Sequence, residues 1–167
     1  QESDIIVNAH KINQGNIDLR LGKDFFFINK ETPEDILKFI LDYAKQFYKK
    51  KGNLHGLQVL SLMRKGTLGI DNLNTLLQDI AVPGDTNFRV GDKVIQTVNN
   101  YSKNVFNGDI GVIISLDPLT VNFSGQKVIY SKFELDQITL AYAITAHKSQ
   151  GSEFPVVIMP ISWGPPM

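Results

Sequence analysis

Side chains that can bind phosphate groups are concentrated in one short polar stretch, residues 145–153, which lies between two apolar runs. Thr145 and Ser149 supply hydroxyl groups, and Lys148 supplies a positive point charge. Gly151 has no Cβ, so a ligand can approach its backbone closely. Polar loops that follow the strands of a parallel sheet are where α/β proteins place their ligands. The stretch therefore predicts a phosphate-binding loop at the end of a strand.

The same stretch ends in Glu153, which does not suit a phosphate because both groups are negatively charged. Its carboxylate can accept hydrogen bonds from ribose hydroxyls. The stretch could then face a nucleotide at one end and a polynucleotide backbone at the other. The alternative is an ordinary polar connection between strands, with His147 and Lys148 in solvent. The residue types alone leave both interpretations open.

The overall composition limits how such a site can act. The 167 residues are enough for one domain, with or without a small insertion, and too few for a complete nucleotide-driven motor. Seventeen basic and seventeen acidic side chains balance, so any binding to nucleic acid must be local. The sequence has no cysteine, and neither His10 nor His55 has a partner at metal-ligand spacing. We expect no metal site.

The sequence also argues against a membrane protein. No apolar run approaches the roughly 20 residues needed to span a bilayer, and the N-terminus has neither a basic start nor a signal-type apolar core. The absence of cysteine fits a reducing compartment. We therefore expect a soluble, cytoplasmic protein with no membrane partner.

The first 80 residues alternate between helical and strand patterns. Ser3 can cap a short amphipathic helix with a packed apolar face, and Thr32 followed by Pro33 begins the clearest helix in the chain. Alternation of this kind favours a parallel sheet covered by helices. We predict helices over residues 3–14, about 33–51 and 71–80, strands over 24–29 and 57–63, and a buried stripe of Ile36, Phe39, Ile40, Tyr43 and Phe47 on the second helix.

The pattern changes after Pro83-Gly84. Residues 88–139 contain short β-rich runs separated by turns, notably Asn107-Gly108 and Ser124-Gly125-Gln126, which suits a small SH3-like barrel. Apolar runs at 138–144 and 156–161 then return to strands of a parallel sheet. We predict an α/β fold with an inserted β-barrel, in three parts: residues 1–85 (α/β), 86–138 (barrel) and 139–167 (return to the α/β part).

The run AYAITAHKSQGSEF, residues 141–154, resembles motif V of the superfamily-1 helicases, in the form found in RecD-like helicases of the exodeoxyribonuclease V alpha-chain family. Residues 3–16, 58–78 and 88–113 resemble that family in the same order. The resemblance implies part of the second RecA-like motor domain, of the P-loop NTPase helicase type, with the SH3-like barrel inserted before motif V. The insertion agrees with the change in hydrophobic pattern.

The resemblance also implies roles for individual residues. One group would contact the backbone of single-stranded DNA, and the other would face the nucleotide, with Glu153 near the ribose. Arg64, after a strand, would also reach DNA, although a solvated loop arginine remains the alternative. The DNA-binding group is Thr145, His147, Lys148, Ser149 and Arg64, and the nucleotide-binding group is Gln150, Gly151 and Glu153.

Parts of a complete helicase are missing from the sequence. No G-x-x-x-x-G-K-[ST] phosphate loop occurs, and the arginines of motifs IV and VI are expected before Gln1 and after Met167. The resemblance implies a parent that uses ATP and Mg²⁺ to unwind DNA in repair and recombination, with single-stranded DNA and other exonuclease V subunits as partners. This fragment would hold no catalytic residue and no ATP or Mg²⁺ by itself, so we expect no ATPase activity from it.

The β-rich part allows more than one interpretation. Tyr101 and Phe106 could stack on bases or fill the barrel core; the core is the preferred interpretation for Phe106. The chain could also be a non-motor nucleic-acid-binding module built on the barrel. Motif V argues against such a module, because a pure binding domain has no use for a nucleotide-facing end at Gly151 to Glu153. The direction of translocation and the oligomeric state do not follow from the sequence.

Overall fold

A computed structural model describes residues 3–16 and 18–162. The chain divides into two compact units, one up to Glu31 and one from Thr32 onward. No helix in the described part of the chain is long and apolar enough to cross a membrane. The helices are α1 (Asp4–Asn13), α2 (Pro33–Lys51) and α3 (Ile70–Ala81), and the strands are β1 (Leu57–Ser61), β2 (Lys93–Gln96), β3 (Ile110–Leu116), β4 (Leu119–Phe123), β5 (Gln126–Tyr130), β6 (Ile138–Leu140), β7 (Ala143–Thr145) and β8 (Val156–Ile158).

The first unit is helix α1 held by the segment that follows it. Ser3 caps the helix by accepting a hydrogen bond from the Ile5 amide, as predicted. The buried side chains are polar, however. Asp4 forms an ion pair with Arg20 (Nε to Oδ1, 2.8 Å), and Asn8 pairs with both the amide and the carbonyl of Arg20. The expected packed apolar face is wrong, since Ile5, Ile6 and Ile12 are more than half exposed.

The predicted strand at residues 24–29 is also wrong. This segment is irregular, and Phe26 and Phe27 are 69% and 70% exposed. A β-rich run becomes a strand only when another strand pairs with its backbone. Asp24 instead accepts hydrogen bonds from the Ser3 hydroxyl and the Asp4 amide, which fixes the segment against the start of α1.

Helix α2 begins and ends where its sequence indicates. The Thr32 hydroxyl accepts a hydrogen bond from the Asp35 amide (3.1 Å), Pro33 stands at the first position, and Gly52 ends the helix with φ of 80°. Its buried residues are Ile40 and Ala44, so the buried stripe lies slightly off the predicted one. Tyr43 is exposed, and the partly buried neighbours on this face are Ile36, Leu37, Leu41 and Phe47.

The three-stranded sheet is fully parallel, in the order β7-β1-β8. Strand β1 is central: Val59 faces Ala143 of β7 and Ile158 of β8 in register. Helices α2 and α3 cover the sheet, with Leu73 and Leu77 of α3 in the same core as Val59. The predicted covered parallel sheet is therefore confirmed in the second unit.

Strands β2 to β6 form an antiparallel sheet in the order β5-β4-β3-β2-β6, which we call the inserted β unit (Lys93–Leu140). A hairpin turn joins β4 and β5 at the predicted place, but it has two residues, Ser124 and Gly125, with φ of 50° and 97°. Gln126, which was predicted to lie in the turn, is the first residue of β5. The outer strands β5 and β6 are not paired with each other in the described residues, so the sheet is not closed by hydrogen bonds.

The apolar run at residues 138–144 is not the single parallel strand that we predicted. Ile138–Leu140 is β6, which pairs antiparallel with β2, whereas Ala143–Thr145 is β7, which pairs parallel with β1. Ala141 and Tyr142 connect the two sheets and are both buried. The run is apolar apart from Thr139, so its composition gives no sign of this change of sheet.

Candidate nucleic-acid interface

The two loops expected to bind DNA leave the same edge of the parallel sheet. Strands β1 and β7 are neighbours, with Ser61 paired to Thr145 at their carboxyl ends. The loop carrying Arg64 follows β1, and residues 146–155, which we call the site loop, follow β7. Parallel pairing therefore brings together two segments that are about 80 residues apart in the sequence.

The site loop is a series of tight turns fixed by its own polar groups. The Thr145 hydroxyl oxygen accepts a hydrogen bond from the Lys148 amide (3.1 Å), and the Thr145 carbonyl accepts one from the Ser149 amide (3.2 Å). The Ser149 hydroxyl donates to the Ala146 carbonyl at 2.6 Å. Thr145 and Ser149 thus build the loop, a role that the sequence did not indicate. The Ser149 oxygen and the Thr145 hydroxyl proton can still serve a ligand.

An open cleft of about 390 Å³ lies between the site loop and the turn that precedes β3. It brings together four of the predicted site residues, two from the DNA group and two from the nucleotide group. Thr145, Ser149, Glu153 and Arg64 do not line it. The lining residues are Asn107, Gly108, Asp109, His147, Lys148, Gln150, Gly151 and Ser152.

The far end of the site loop is open to solvent. Gly151 has φ of 80°, in the left-handed region, and a Cβ there would meet no atom within 4 Å. Glycine is therefore favoured at this position by its backbone conformation and not by lack of space. Gln150 and Glu153 are both exposed, so their polar groups are accessible to a ligand.

Arg64 is exposed on the loop after β1. The next residue, Lys65, forms an ion pair with Asp71 at 2.6 Å. A hydrogen bond from Lys65 lowers the pKa of the Asp71 carboxyl, with added coulombic contributions from Lys65 and Arg64. Lys65 is thus committed to the start of α3, and within the described residues the Arg64 guanidinium has no ion pair.

Buried polar residues that sequence reasoning missed hold the strand before the site loop. Asn74 of α3 pairs with the amide and the carbonyl of Ala143. Four residues later, Gln78 donates to the Asp92 carboxylate (2.7 Å), which also accepts from the Tyr142 hydroxyl (2.7 Å). Burial raises the pKa of the Tyr142 hydroxyl, and the hydrogen bond to Asp92 raises it further. Polar residues spaced i, i+4 beside the apolar stripe of α3 were the available signal.

Lys93, the first residue of β2, lies at the junction of the two sheets. It is 2% exposed, and its ammonium donates to the carbonyls of His55 (3.2 Å) and Leu57 (3.3 Å). The ammonium also lies 5.1 Å from the ring centroid of Phe154, which is in the site loop. Burial lowers the pKa of Lys93 to about 8.

The aromatic pair of the inserted β unit is at the surface. Tyr101 is 77% exposed and Phe106 is 37% exposed, with ring centroids 5.7 Å apart in an edge-to-face arrangement. The prediction that Phe106 fills the core of the barrel is therefore wrong. Val105 takes the buried position and bridges to Asn100, so the side chain that follows it points outward.

Across the described residues, no three His, Cys, Asp or Glu side chains are grouped closely enough to hold a metal ion. The chemistry available at the interface is therefore that of hydroxyls, amides, an imidazole, two cations and the carboxylates of Asp109 and Glu153. Such a set can hold a sugar–phosphate backbone and a ribose.

Two families of known domains match the sequence in order. Residues 73–127 match the SH3 domain of ATP-dependent RecD-like DNA helicases, and residues 140–167 match the C-terminal domain of UvrD-like helicases. The first match supports the SH3-like nature of the inserted β unit. The second begins at the last residue of β6 and includes the whole site loop.

Individual helicases are also similar to this chain. The ATP-dependent RecD2 DNA helicase of Deinococcus radiodurans is 40% identical over 116 residues, which is 64% of this chain and 16% of the relative. The RecBCD enzyme subunit RecD of Mycolicibacterium smegmatis is 28% identical over 101 residues, which is 58% of this chain and 18% of the relative. The chain thus spans less than a fifth of either protein.

A crystal structure of Bacteroides sp Pif1 in complex with ADP-AlF4 resembles this structure with a TM-score of 0.46 and 20% identity, over 80% of this chain and 44% of the other. The assignment rests on the two family matches and the sequence relatives, which agree with the order of the helicase-like segments. The chain is thus similar to RecD-like helicases over the segments that these domains and relatives match.

Proposed function

We propose that this chain is part of the second motor domain of an ATP-dependent DNA helicase, where it contacts the backbone of single-stranded DNA and forms part of the ATP cleft. The observation that carries the proposal is that the Arg64 loop and the site loop leave the same edge of the parallel sheet, where Ser61 is paired with Thr145. In this proposal residues 1–85 and 139–167 form the α/β part and residues 86–138 form the SH3-like unit.

The DNA-binding end combines cations with loop hydroxyls. Arg64, His147 and Lys148 lie on loops that leave adjacent strand ends, and His147 and Lys148 line the cleft. The chain has no net charge, so a local cluster of this kind is what could attract a phosphate backbone. Thr145 and Ser149 hold the loop in shape, and Thr145 keeps a hydroxyl proton that it can donate to a phosphate oxygen.

The nucleotide-facing end consists of Gln150, Gly151 and Glu153. The exposed Gln150 amide and the exposed Glu153 carboxylate lie on either side of Gly151, which has no side chain. These groups can form hydrogen bonds with the ribose hydroxyls of a nucleotide. They do not suit a magnesium triphosphate, for which the sequence has no phosphate loop. ATP hydrolysis would supply the free energy for unwinding in the parent protein. This chain contributes the sugar-side contacts and no catalytic residue.

The two ends are coupled because the loop between them is short and internally bonded. A movement of the nucleotide at Glu153 is transmitted to His147 through turns that Thr145 and Ser149 hold together. Nothing observed in the described residues favours a non-motor binding module. The proposal further includes a cytoplasmic parent protein that associates with other exonuclease V subunits. Size-exclusion chromatography of the native parent would test the association.

Single-stranded DNA binding tests the proposal directly. We expect a fluorescently labelled oligothymidylate to bind the 167-residue chain and the double variant His147→Ala/Lys148→Ala to bind it less tightly, with a weaker dependence on salt. The control is Lys45→Ala/Lys49→Ala, which removes two exposed charges from α2. Equal affinity of the wild type and the site variant would contradict the proposal, and so would an equal loss in the control.

A further inference from the structure

We infer that the inserted β unit positions the site loop at both of its ends and that Asn107 is the positioning residue for Lys148. This inference rests on the proposed function, because it concerns how Lys148 is presented to DNA. The Lys148 ammonium donates a hydrogen bond to the Asn107 side-chain oxygen, across 41 residues of sequence. At the other end, Phe154 lies against the buried ammonium of Lys93.

Asn107 can act as a fixed support because its turn is held on several sides. Its amide donates to the Asn99 side-chain oxygen at 2.9 Å, and the Gly108 amide donates to the Gln96 carbonyl at 2.8 Å. The Asp109 carboxylate accepts from the Phe106 amide at 2.8 Å. These hydrogen bonds fix the turn to the rest of the inserted β unit, so the turn does not move together with the site loop.

The second support lies in the interior. Lys93 is anchored by the carbonyls of His55 and Leu57, so its ammonium is fixed beneath the Phe154 ring. Phe154 also packs against an apolar cluster that joins the two sheets, formed by Ile95, Ala141 and Ile144. The loop is thus held between the contact of Phe154 with the buried Lys93 and a surface hydrogen bond at Lys148.

The chemistry of the Asn107 contact suits presentation of a cation. An ammonium has three donors, and one hydrogen bond to Asn107 leaves two for phosphate oxygens. The amide oxygen is neutral, so it orients the lysine without cancelling the charge that attracts the phosphate. Holding a flexible lysine in place also reduces the side-chain entropy that is lost when DNA binds. A carboxylate at this position would orient the lysine but neutralise it.

A double-mutant cycle on the 167-residue chain tests this role, with oligothymidylate affinity measured at several salt concentrations. We expect Asn107→Ala to weaken binding about two- to tenfold, the range for one hydrogen bond, with an unchanged salt slope because no charge is removed. Lys148→Ala should weaken binding and lower the slope by about 0.7. Adding Asn107→Ala to Lys148→Ala should cause no further loss, and Asn107→Asp should weaken binding more than Asn107→Ala.

The matched control is Asn122→Ala, which removes the acceptor of the Gly125 amide in the β4–β5 hairpin, away from the cleft, and should leave DNA affinity unchanged. Thermal unfolding of each variant identifies losses due to misfolding. The inference is overturned if Asn107→Ala tightens binding, leaves it unchanged, or adds its full effect to Lys148→Ala. If Lys148→Ala weakens binding and Asn107→Ala does not, only the inference fails. If the wild type does not bind DNA, the proposed function fails with it.

Discussion

The side-chain amide of Asn74 pairs with both backbone groups of Ala143: its nitrogen donates to the carbonyl at 3.0 Å and its oxygen accepts from the amide at 2.9 Å. Strand β7 is at one end of the parallel sheet, so these two groups lie on its unpaired side. Asn74 thus takes the place of a neighbouring strand. It fixes β7 at Ala143, two residues before Thr145, the last residue of the strand, after which the site loop begins.

We therefore expect Asn74→Ala to lower the free energy of unfolding by about 1–3 kcal/mol, because two buried backbone groups lose their partner. Urea unfolding followed by circular dichroism gives the value. Asn72→Ala is the matched control on the same helix, since Asn72 is only half-buried and makes a single bond to the Thr67 carbonyl. An equal or larger loss of unfolding free energy in Asn72→Ala would show that the pairing of Asn74 with Ala143 does not stabilise the fold more than an ordinary side-chain hydrogen bond.

The depressed pKa of Lys93 predicts a specific pH dependence of stability. Its pKa is about 8 in the folded chain and near 10.5 in the unfolded one, so between these values the unfolded state binds more protons. Stability should therefore rise from pH 8 to about 10, by a contribution on the order of 3 kcal/mol at completion. Above pH 10 this gain in stability is opposed by Tyr130 and Tyr142, whose pKa values are raised in the folded chain. Their phenols ionise more readily in the unfolded chain, so unfolding becomes more favourable as the pH rises.

The Lys93→Met variant keeps the apolar stem and removes the titrating group. Urea unfolding at pH 7, 8, 9 and 10 should give a wild-type minus variant difference that moves in favour of the wild type as pH rises. A difference that stays constant with pH would show that burial of the ammonium costs the fold little.

Substitutions at the two ends of the site loop should have different effects on an ATP-hydrolysing helicase that contains this chain. We expect His147→Ala to weaken single-stranded DNA binding about threefold to tenfold and to lower DNA-stimulated turnover more than basal turnover, as for the loss of one backbone contact. Glu153→Ala should act mainly by raising the ATP concentration needed. Nucleotide titrations and DNA-binding curves distinguish these effects. Damage to ATP affinity alone in both variants would contradict the assignment of two ends.

The exposed aromatic pair should contribute base stacking. Tyr101 is 77% exposed and its neighbour Phe106 is followed directly by the turn that lines the cleft. Stacking on one base is worth about 1–3 kcal/mol, so Tyr101→Ala should weaken oligothymidylate binding at least fivefold while Tyr101→Phe stays near wild type. Phe133→Ala is the control, because Phe133 is 94% exposed on a different segment. Equal effects at Tyr101 and Phe133 would indicate non-specific surface contacts.

Local features of this protein follow from the sequence because their causes are local. The start of α2 at Thr32 and Pro33, its end at Gly52 and the hairpin turn at Ser124 and Gly125 depend on neighbouring residues and on backbone conformation. The position of the site loop could also be predicted, because a polar stretch after a buried strand must lie at the carboxyl edge of a parallel sheet. Its roles in binding remain predictions from family resemblance.

The tertiary structure decided what depends on distant partners. Residues 24–29 have the composition of a strand but no strand beside them. Residues 138–144 divide between two sheets because their two ends pair with different strands, β2 and β1, which are distant in the sequence. The contact between Lys148 and Asn107 joins positions 41 residues apart, and the composition around either residue gives no sign of it. A hydrogen bond of this kind forms only when two separately folded segments are brought together, so no local pattern in the chain encodes it.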